Sequence, residues 1–274
     1  MNRKFTLFFC LVAIVGSLCA QAPQADTLNV NYYENFPYAY TENGALKGIE
    51  VDIIKKYVEW LKLEKNINTT VKYKGYKEFS EFYNSVKKGR PNTIGIGSVT
   101  ITEEREKEVA FSPPYLRNIA VLITNGSVPS IKTPTAEEVS KVLGPLDALA
   151  VNESSHLRYM NALKSSYISS MQIKGTETQT AILDAIAGGK AYGYVDIVAY
   201  WAYIKKNKKT YLKIQKAFNR PYEYLGIVQP FGASHYSSFN EFFENGFGFT
   251  STKIYHEILE RYLGYEVLET LEIK

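Results

Sequence analysis

Residues 93–105 read TIGIGSVTITEER, and this stretch decides the fold. Its first residues form a short apolar run that ends at Gly97, which is typical of a buried strand. Thr102 followed by Glu103 and Glu104 is typical of a helix start, because the threonine oxygen caps free N–H groups and carboxylates complement the helix dipole. The stretch therefore predicts a strand that leads through a loop into a helix.

The residues before this stretch continue the same alternation of strands and helices. Leu28, Val30 and Tyr32 alternate as in a strand, and residues 49–62 place apolar side chains at helical spacing. Residues 70–74 predict a second strand, and residues 79–86 a second helix. This order favours parallel strands with right-handed crossovers, and loops at the strand ends where a ligand would bind.

The alternation starts again in the second half of the chain. Thr135 and Glu138 have the spacing of a capping box. We predict strands at residues 148–151 and 191–195, and helices at residues 155–164 and 178–187. Two copies of one pattern without a Pro- or Ser-rich linker indicate two lobes.

Two apolar runs, residues 119–124 and 224–228, are candidates for strands that cross between the lobes. The apolar and aromatic residues of the last forty positions favour helices that return to lobe one. We therefore predict an α/β fold in which each lobe is a mostly parallel sheet flanked by helices, joined by two hinge strands. The expected divisions are residues 24–117 for lobe one, 118–222 for lobe two, and 223–274 for the return segment.

Residues 1–20 have the three parts of a secretory signal peptide: a basic start, an apolar run and a small-residue end. The apolar run is shorter than the roughly 20 residues that a membrane anchor needs. We expect cleavage near Ala20 or Ala22 and a periplasmic location. Both cysteines, Cys10 and Cys19, fall in this segment, so the rest of the chain has no disulfide, thiolate zinc site or cysteine nucleophile.

Composition and charge exclude some classes of function. The net charge of +4 includes Arg3 and Lys4, so the chain carries +2 without them, and its basic residues are scattered. This gives little support for nucleic-acid binding. The 3 histidines lack the spacing of a metal site, so we expect no metal and no cofactor. The 22 tyrosines exceed what a core of this size needs, and some are expected to line a pocket.

The loop of the opening stretch has the chemistry of a carboxylate receptor. Ser98 and Thr100 offer hydroxyl groups, the loop offers free N–H groups, and Arg105 offers a planar fork that matches a carboxylate. The alternative is a surface arginine that pairs with the neighbouring glutamates.

Asp196 follows the predicted strand 191–195, where its carboxylate can accept hydrogen bonds from an ammonium group. Its alternative role is the N-cap of the next helix. In the loop after the first strand, Phe36 and Tyr38 flank Pro37, which stiffens the backbone. These two rings could form a wall against a ligand side chain, or they could fill the core.

Five blocks of the chain, taken together in their order, resemble the family 3 bacterial extracellular solute-binding proteins, the polar-amino-acid-binding components of ABC importers. The blocks are residues 28–40, 48–53, 100–105, 111–115 and 188–196. The resemblance implies a two-lobed periplasmic-binding-protein fold of type II that closes about a hinge.

The resemblance also implies roles for individual residues. The arginine that matches Arg105 clamps the α-carboxylate of a ligand, helped by Ser98 and Thr100, and Asp196 takes the α-ammonium. The aromatic loop resembles the side-chain wall of the family. The helix start at Ser155 and His156 resembles the site in lobe two whose N–H groups bind the carboxylate.

These observations predict a monomeric periplasmic protein, not an enzyme, that binds an amino acid for an inner-membrane ABC permease. Two alternatives stay open at this point. One is a periplasmic dehydratase of the cyclohexadienyl or prephenate type, since some relatives have this activity and Glu153 or His156 could act as its acid. The other is a ligand sensor for a membrane receptor.

Overall fold

A computed structural model describes residues 22–208, 210–244 and 248–270. The predicted signal peptide at residues 1–20 and the cleavage position Ala20 lie outside the described residues. Within the described residues, none of the helices combines the length and the apolar character that crossing a bilayer requires.

The described strands are β1 Gln24–Tyr33, β2 Tyr40–Glu42, β3 Ala45–Lys47, β4 Ile67–Tyr76, β5 Thr93–Ile96, β6 Ala110–Phe111, β7 Leu116–Asn125, β8 Asp147–Val151, β9 Ile173–Thr176, β10 Ala191–Asp196, β11 Leu212–Ile214, β12 Tyr222–Leu225 and β13 Val228–Gln229. The described α-helices are α1 Ile49–Lys65, α2 Phe79–Lys87, α3 Glu103–Glu106, α4 Ala136–Leu143, α5 Ser155–Tyr167, α6 Gln179–Ala187, α7 Ile197–Lys206, α8 Tyr236–Glu244, α9 Lys253–Leu263 and α10 Tyr265–Thr270. Each predicted strand and helix overlaps one of these elements, except that the apolar run 224–228 covers the end of β12 and the start of β13.

Lobe one is built on a five-stranded sheet in the order β4-β1-β5-β13-β6. Strand β1 pairs in parallel with β4 and β5, as the strand-helix-strand pattern predicts. Helix α1 packs on this sheet through an apolar face that includes Ile53, Ile54 and Tyr57, all fully buried. Burying such a face is what holds an amphipathic helix in place.

Lobe two contains a sheet in the order β11-β7-β10-β8-β9, with β12 paired to β7 at one side. Strand β10 runs parallel to β8 and antiparallel to β7. Glycine is needed at position 193, because a Cβ there would lie 2.6 Å from the carbonyl oxygen of Leu149 on the neighbouring strand.

Two strands, β7 and β12, connect the lobes. The first half of β7 pairs with β12 in antiparallel register, Leu116 opposite Leu225, and its second half enters the sheet of lobe two. Strand β12 leads directly to β13, which lies antiparallel to β5 in lobe one. Each sheet is therefore mixed, because the chain crosses twice and each crossing strand enters its sheet in the opposite direction. The exact divisions at residues 117/118 and 222/223 stay a prediction.

The segment after β13 packs on helix α1 of lobe one. The ring of Phe239 in α8 stacks on Tyr57 of α1 with 3.9 Å between centroids. The Tyr57 hydroxyl lies 2.8 Å from His235 Nδ1 and 2.5 Å from Ser238 Oγ, so the buried phenol keeps its hydrogen bonds. The last helices thus complete the core of the lobe that the first strands begin.

Candidate ligand-binding site

A narrow pocket lies between the lobes, and six of the eight predicted binding residues line it. The free volume of the pocket is only about 20 Å³, so the two lobes are close together. Its walls are strand ends and helix starts, the usual place of ligand sites in α/β folds. The six residues are Ser98, Thr100 and Arg105 from lobe one and Ser155, His156 and Asp196 from lobe two.

Arg105 is held in position by its own helix and by two aromatic rings. Thr102 caps α3 by accepting a hydrogen bond from the Arg105 N–H at 3.3 Å, as predicted. The guanidinium donates from Nη1 to the carbonyl oxygen of Thr100 at 2.9 Å, and it lies 5.1 Å from the centroid of the Phe79 ring and 5.6 Å from that of the Tyr83 ring.

The charge of Arg105 has no carboxylate at ion-pair distance among the described residues. Burial lowers the pKa of this arginine, because it penalises the charged form. A guanidinium remains charged at neutral pH, and a partly buried one gains by contact with an anion. The remaining N–H donors of Arg105 are therefore suited to an anionic group in the pocket.

The loop before Arg105 adopts an unusual backbone conformation. Ser98 lies in the left-handed region with φ of 60°, which costs free energy in a residue other than glycine. Gly97 is required next to it, because φ is 143° and a Cβ would lie 2.7 Å from the Cβ of Tyr33. The Ser98 N–H donates to Glu50 Oε2 at 3.1 Å, and the Asn35 amide nitrogen donates to Ser98 Oγ at 2.8 Å. Two neighbours outside the loop therefore fix its shape.

Glu50 is a buried carboxylate that supports this loop from behind. It lies in the first turn of α1 with no exposed surface and accepts a second hydrogen bond from the Tyr115 hydroxyl at 2.7 Å. Burial raises the pKa of Glu50 from 4.5 to about 7, although these hydrogen bonds act in the opposite direction. The sequence analysis gave this residue no role. Its spacing of three, four and seven residues from Ile53, Ile54 and Tyr57 is the signal that places it on the buried face.

Asp196 is the negative counterpart on the opposite wall. It ends β10 and is 2% exposed. Its carboxylate accepts hydrogen bonds from the amide groups of Asn118 and Gln179, each at 2.6 Å, and lies 3.2 Å from His156 Nε2. Burial alone would raise the pKa of Asp196, but His156 and the two amides outweigh it and lower the pKa. Asp196 occupies the N-cap position of α7 without a side-chain capping bond, so its oxygens face the network and the pocket.

His156 and Ser155 begin α5, which brings free N–H groups to the pocket. Ser154 caps this helix by accepting a hydrogen bond from the Leu157 N–H at 3.2 Å. Burial would lower the pKa of His156, but the neighbouring Asp196 raises it above its ordinary value. The pair therefore favours a positively charged imidazole beside a negatively charged carboxylate.

The structure does not bring Phe36 and Tyr38 to the pocket around Arg105. The backbone turns back after β1, with hydrogen bonds between Asn35 and Ala39, and this turn directs Tyr38 into the core, where it is fully buried. Phe36 lines a second groove between the lobes, where Lys206 Nζ lies 5.0 Å from its ring centroid. Asn35 instead of either ring lines the pocket.

Two further residues at the pocket were not expected from the sequence. The Tyr33 hydroxyl donates to the carbonyl oxygen of Glu177 and so joins lobe one to lobe two. Gln179, the first residue of α6, binds Asp196 through its side chain. Tyr33 directly follows the residues predicted as the first strand and ends β1, and this position at a strand end could have indicated a place at the pocket. No local signal connects Gln179 to Asp196, because their contact depends on the packing of α6 against β10.

Comparisons with known proteins identify the family of the chain. Residues 28–224 match the family described as bacterial extracellular solute-binding proteins, family 3. The chain belongs to this family. It is therefore a solute-binding protein of an extracellular class, and the relatives and solved structures that it matches are named as binding proteins. Among the described residues, no group of three His, Cys, Asp or Glu side chains could hold a metal ion.

Individual relatives of this solute-binding protein extend the comparison. It is 28% identical over 201 residues to the Probable amino-acid-binding protein YxeM of Bacillus subtilis strain 168, covering 72% of this chain and 68% of that protein. The arginine-, lysine-, histidine-binding protein ArtJ of Geobacillus stearothermophilus superposes with a TM-score of 0.69 at 20% identity, covering 90% of this chain and 99% of ArtJ. A substrate-binding protein of an ABC uptake transporter from Streptococcus pneumoniae, with bound histidine, superposes with a TM-score of 0.69 at 17% identity. The match covers 88% of this chain and 94% of that protein. These structures show a type II periplasmic-binding-protein fold.

The raised pKa of Glu50 predicts a pH-dependent effect of the Glu50→Gln substitution. Between pH 4.5 and about 7 the folded wild type holds a proton that the unfolded chain releases, so its stability falls as the pH rises through this window. The Glu50→Gln variant has no titrating group at this position, so its stability does not fall for this reason. Its free energy of unfolding relative to wild type should increase by up to about 3 kcal/mol from pH 4.5 to pH 8.

Urea unfolding at several pH values measures this difference. Glu59→Gln is the matched control, because Glu59 lies on the exposed side of the same helix. The free energy of unfolding of Glu59→Gln relative to wild type should stay nearly constant between pH 4.5 and pH 8. A constant difference for Glu50→Gln as well would show that Glu50 titrates normally and that the burial argument is wrong.

Proposed function

We propose that the protein captures a free α-amino acid in the periplasm, closes its lobes around it, and delivers it as a monomer to an inner-membrane ABC permease. One observation carries this proposal: a guanidinium without an acidic partner on one wall of the pocket faces a buried carboxylate on the other. A zwitterion supplies the complementary pair of charges. Each end of the ligand satisfies one lobe, so binding and closure favour each other.

The carboxylate end of the ligand fits Arg105 and its loop. The guanidinium can donate two parallel hydrogen bonds to one carboxylate, and such charged bonds are shorter and stronger than neutral ones. The hydroxyl groups of Ser98 and Thr100 line the same wall, and the first N–H groups of α5 approach from lobe two. Contacts from both lobes to one carboxylate exist only in the closed form.

The ammonium end fits the remaining capacity of Asp196. A carboxylate has about four lone-pair sites. Oδ1 faces Asn118 and His156, and Oδ2 accepts from Gln179. The buried Tyr38 hydroxyl also interacts with this carboxylate, so the ligand's ammonium N–H would take a lone-pair site beside these donors, and the lowered pKa of Asp196 keeps the carboxylate charged.

Contacts outside the pocket support closure. Tyr33 reaches Glu177, Arg158 lies 3.4 Å from Glu104, and Lys206 lies 3.0 Å from Glu42. Each pair joins one lobe to the other. Because these contacts form only when the lobes meet, they favour the closed form and tighten ligand binding.

The relatives support the ligand class and the location. The B. subtilis protein is named for amino-acid binding, and the two solved structures are named for amino-acid ligands. The family is extracellular, which agrees with the signal peptide predicted at residues 1–20. These names and the charged pocket together favour an amino acid over a sugar or a metal ion.

Arg105→Ala should weaken amino-acid binding by at least about a hundredfold, because two charged hydrogen bonds to the ligand are lost. Asp196→Asn should weaken binding similarly, because the neutral amide no longer supplies a negative charge to the ligand's ammonium group. The substitution also leaves His156 without its ionic partner. Isothermal titration calorimetry of the purified protein with its best amino acid measures both effects.

The controls remove the same chemical groups from the surface. Arg90→Ala and Asp147→Asn lie outside the pocket and should change affinity less than about twofold, since exposed charges contribute little. Circular dichroism without ligand tests folding. A folded Arg105→Ala variant with wild-type affinity would remove the basis of the proposal.

Lys206→Met tests the contribution of the second groove. The variant removes the cation beside the Phe36 ring and the ion pair with Glu42, while it keeps a long apolar side chain. Affinity should fall by about threefold, because the closed form loses one cation–π contact. Lys208→Met, two residues further along, is the matched control. Equal affinities for the two variants would show that this groove does not stabilise closure.

Uptake measurements test the proposed transport partner. A strain without the gene should take up the bound amino acid more slowly at low concentration. The wild-type gene should restore uptake, and the gene with Arg105→Ala should not. Unchanged uptake in the deletion strain, with binding intact in vitro, would favour the sensor alternative over import.

A further inference from the structure

We propose that the pocket selects amino acids whose side chain is short, uncharged and able to form a hydrogen bond, and that Asn35 recognises this side chain. Asparagine, glutamine, serine, threonine and cysteine belong to this class. The inference rests on the proposed function, because it presumes that Arg105 and Asp196 bind the main-chain groups of the ligand.

The charges at the pocket leave no partner for a charged side chain. Among the described residues that line it, only Arg105, Asp196 and His156 carry a charge. The first two are taken by the ligand's carboxylate and ammonium, and His156 is paired with Asp196. A buried lysine, arginine or glutamate side chain would therefore lose its hydration without gaining a counter-ion, which is unfavourable.

Glu50 cannot serve as that counter-ion. It lies behind the loop, outside the lining of the pocket, and its two oxygens accept from the Tyr115 hydroxyl and the Ser98 N–H. A cationic ligand side chain would have to displace these donors and distort the loop that presents Ser98. Glu223, a buried carboxylate that accepts from the Tyr159 hydroxyl and acts electrostatically on Arg105 and His156, also lies outside the lining. The residues that line the pocket therefore offer no free counter-ion to a ligand side chain.

Asn35 is the group in this wall that has hydrogen-bonding capacity to spare. Its residue is 1% exposed, its N–H donates to the Ala39 carbonyl oxygen, and its Nδ2 donates to Ser98 Oγ at 2.8 Å. Its Oδ1 is buried and has no partner among the described residues. Because the Ser98 hydroxyl can donate or accept, either orientation of the amide leaves one end unsatisfied.

An unsatisfied polar atom in a ligand pocket is a site for a ligand group. Buried polar atoms are nearly always hydrogen-bonded, and leaving one unpaired is unfavourable. A hydroxyl, thiol or amide on the ligand satisfies Asn35, whereas a purely apolar side chain leaves it unpaired. This difference favours polar side chains over apolar ones of the same shape.

The remaining walls limit the length of the side chain. The rings of Tyr33 and Phe79 meet edge to face with 5.5 Å between centroids, and the Tyr33 hydroxyl bonds to Glu177 across the cleft. This contact closes the pocket on that side. A long basic side chain would have to break it, and a short side chain would leave it intact.

Calorimetric titration of the wild-type protein with matched pairs of amino acids tests the inference. Glutamine and glutamate have the same shape but differ in charge and in the donor capacity of the amide, and threonine differs from valine in a hydroxyl group in place of a methyl group. We expect the uncharged and the hydroxylated partner to bind at least about tenfold more tightly in each pair. Lysine and arginine should bind more weakly than the best uncharged ligand.

Two variants of Asn35 test its role. Asn35→Leu should bring the affinities for threonine and valine to within about twofold, and alanine, which has no polar side-chain group, should still bind. Asn35→Asp should move the preference towards lysine, because a carboxylate then faces the side chain. Asn31→Leu is the matched control: Asn31 donates to Ser85 Oγ at the same 2.8 Å but lies outside the pocket.

The outcomes separate this inference from the proposed function. If lysine, arginine or glutamate binds as tightly as the best uncharged amino acid, the inference is wrong and the proposed function stands. If the wild type binds no amino acid at all, both fail. If Asn35→Leu is folded and still prefers threonine as strongly as Asn31→Leu does, Asn35 is not the recognising residue. The wild-type titrations decide the ligand class even if a variant fails to fold.

Discussion

A buried negative charge must be compensated, and the way in which Asp196 is compensated organises the second lobe. Its donors come from three separate elements: Asn118 on the connecting strand β7, His156 at the start of α5, and Gln179 at the start of α6. Asp196 itself joins β10 to α7. Because an unpaired carboxylate would be costly in this environment, these elements are held in one arrangement. In the proposed function, the wall that meets the ligand's ammonium group is thus formed before the ligand arrives.

Lobe one is organised in the opposite way. Arg105 is fixed by Thr100 and by the Phe79 ring, yet its charge has no acid beside it among the described residues. The buried charge of lobe two, on Asp196, is compensated by its neighbours, whereas the charge of Arg105 in lobe one has no acidic partner at ion-pair distance among the described residues. Under the proposed function, closure without a ligand brings a cation with no acid at ion-pair distance into a narrow space, whereas closure around a ligand carboxylate compensates this charge. The energetic reward for closing therefore depends on the ligand.

Much of this could be predicted from the sequence, where the signal is local. Thr102 as a cap and Asp196 at a strand end are local features, and both positions are as expected. The β2–β3 hairpin was missed although Asn43-Gly44, both with positive φ, is a strong turn signal. The roles of Asn35 and Gln179 could not be predicted, because each depends on a contact between elements. Phe36 and Tyr38 carried a plausible aromatic pattern, but the turn at Asn35 decides where each ring lies.

If the two proposals hold, the loop at Ser98 connects specificity with carboxylate binding. Its left-handed backbone is held by Glu50 from behind and by Asn35 from the side, so the residue that faces the ligand side chain also supports the loop beside Arg105. A substitution at Asn35 that changed the preferred side chain would therefore also loosen the receptor for the carboxylate. It follows that a new specificity at this position needs a second change near Ser98 to restore the shape of the loop, since the strained backbone does not hold itself.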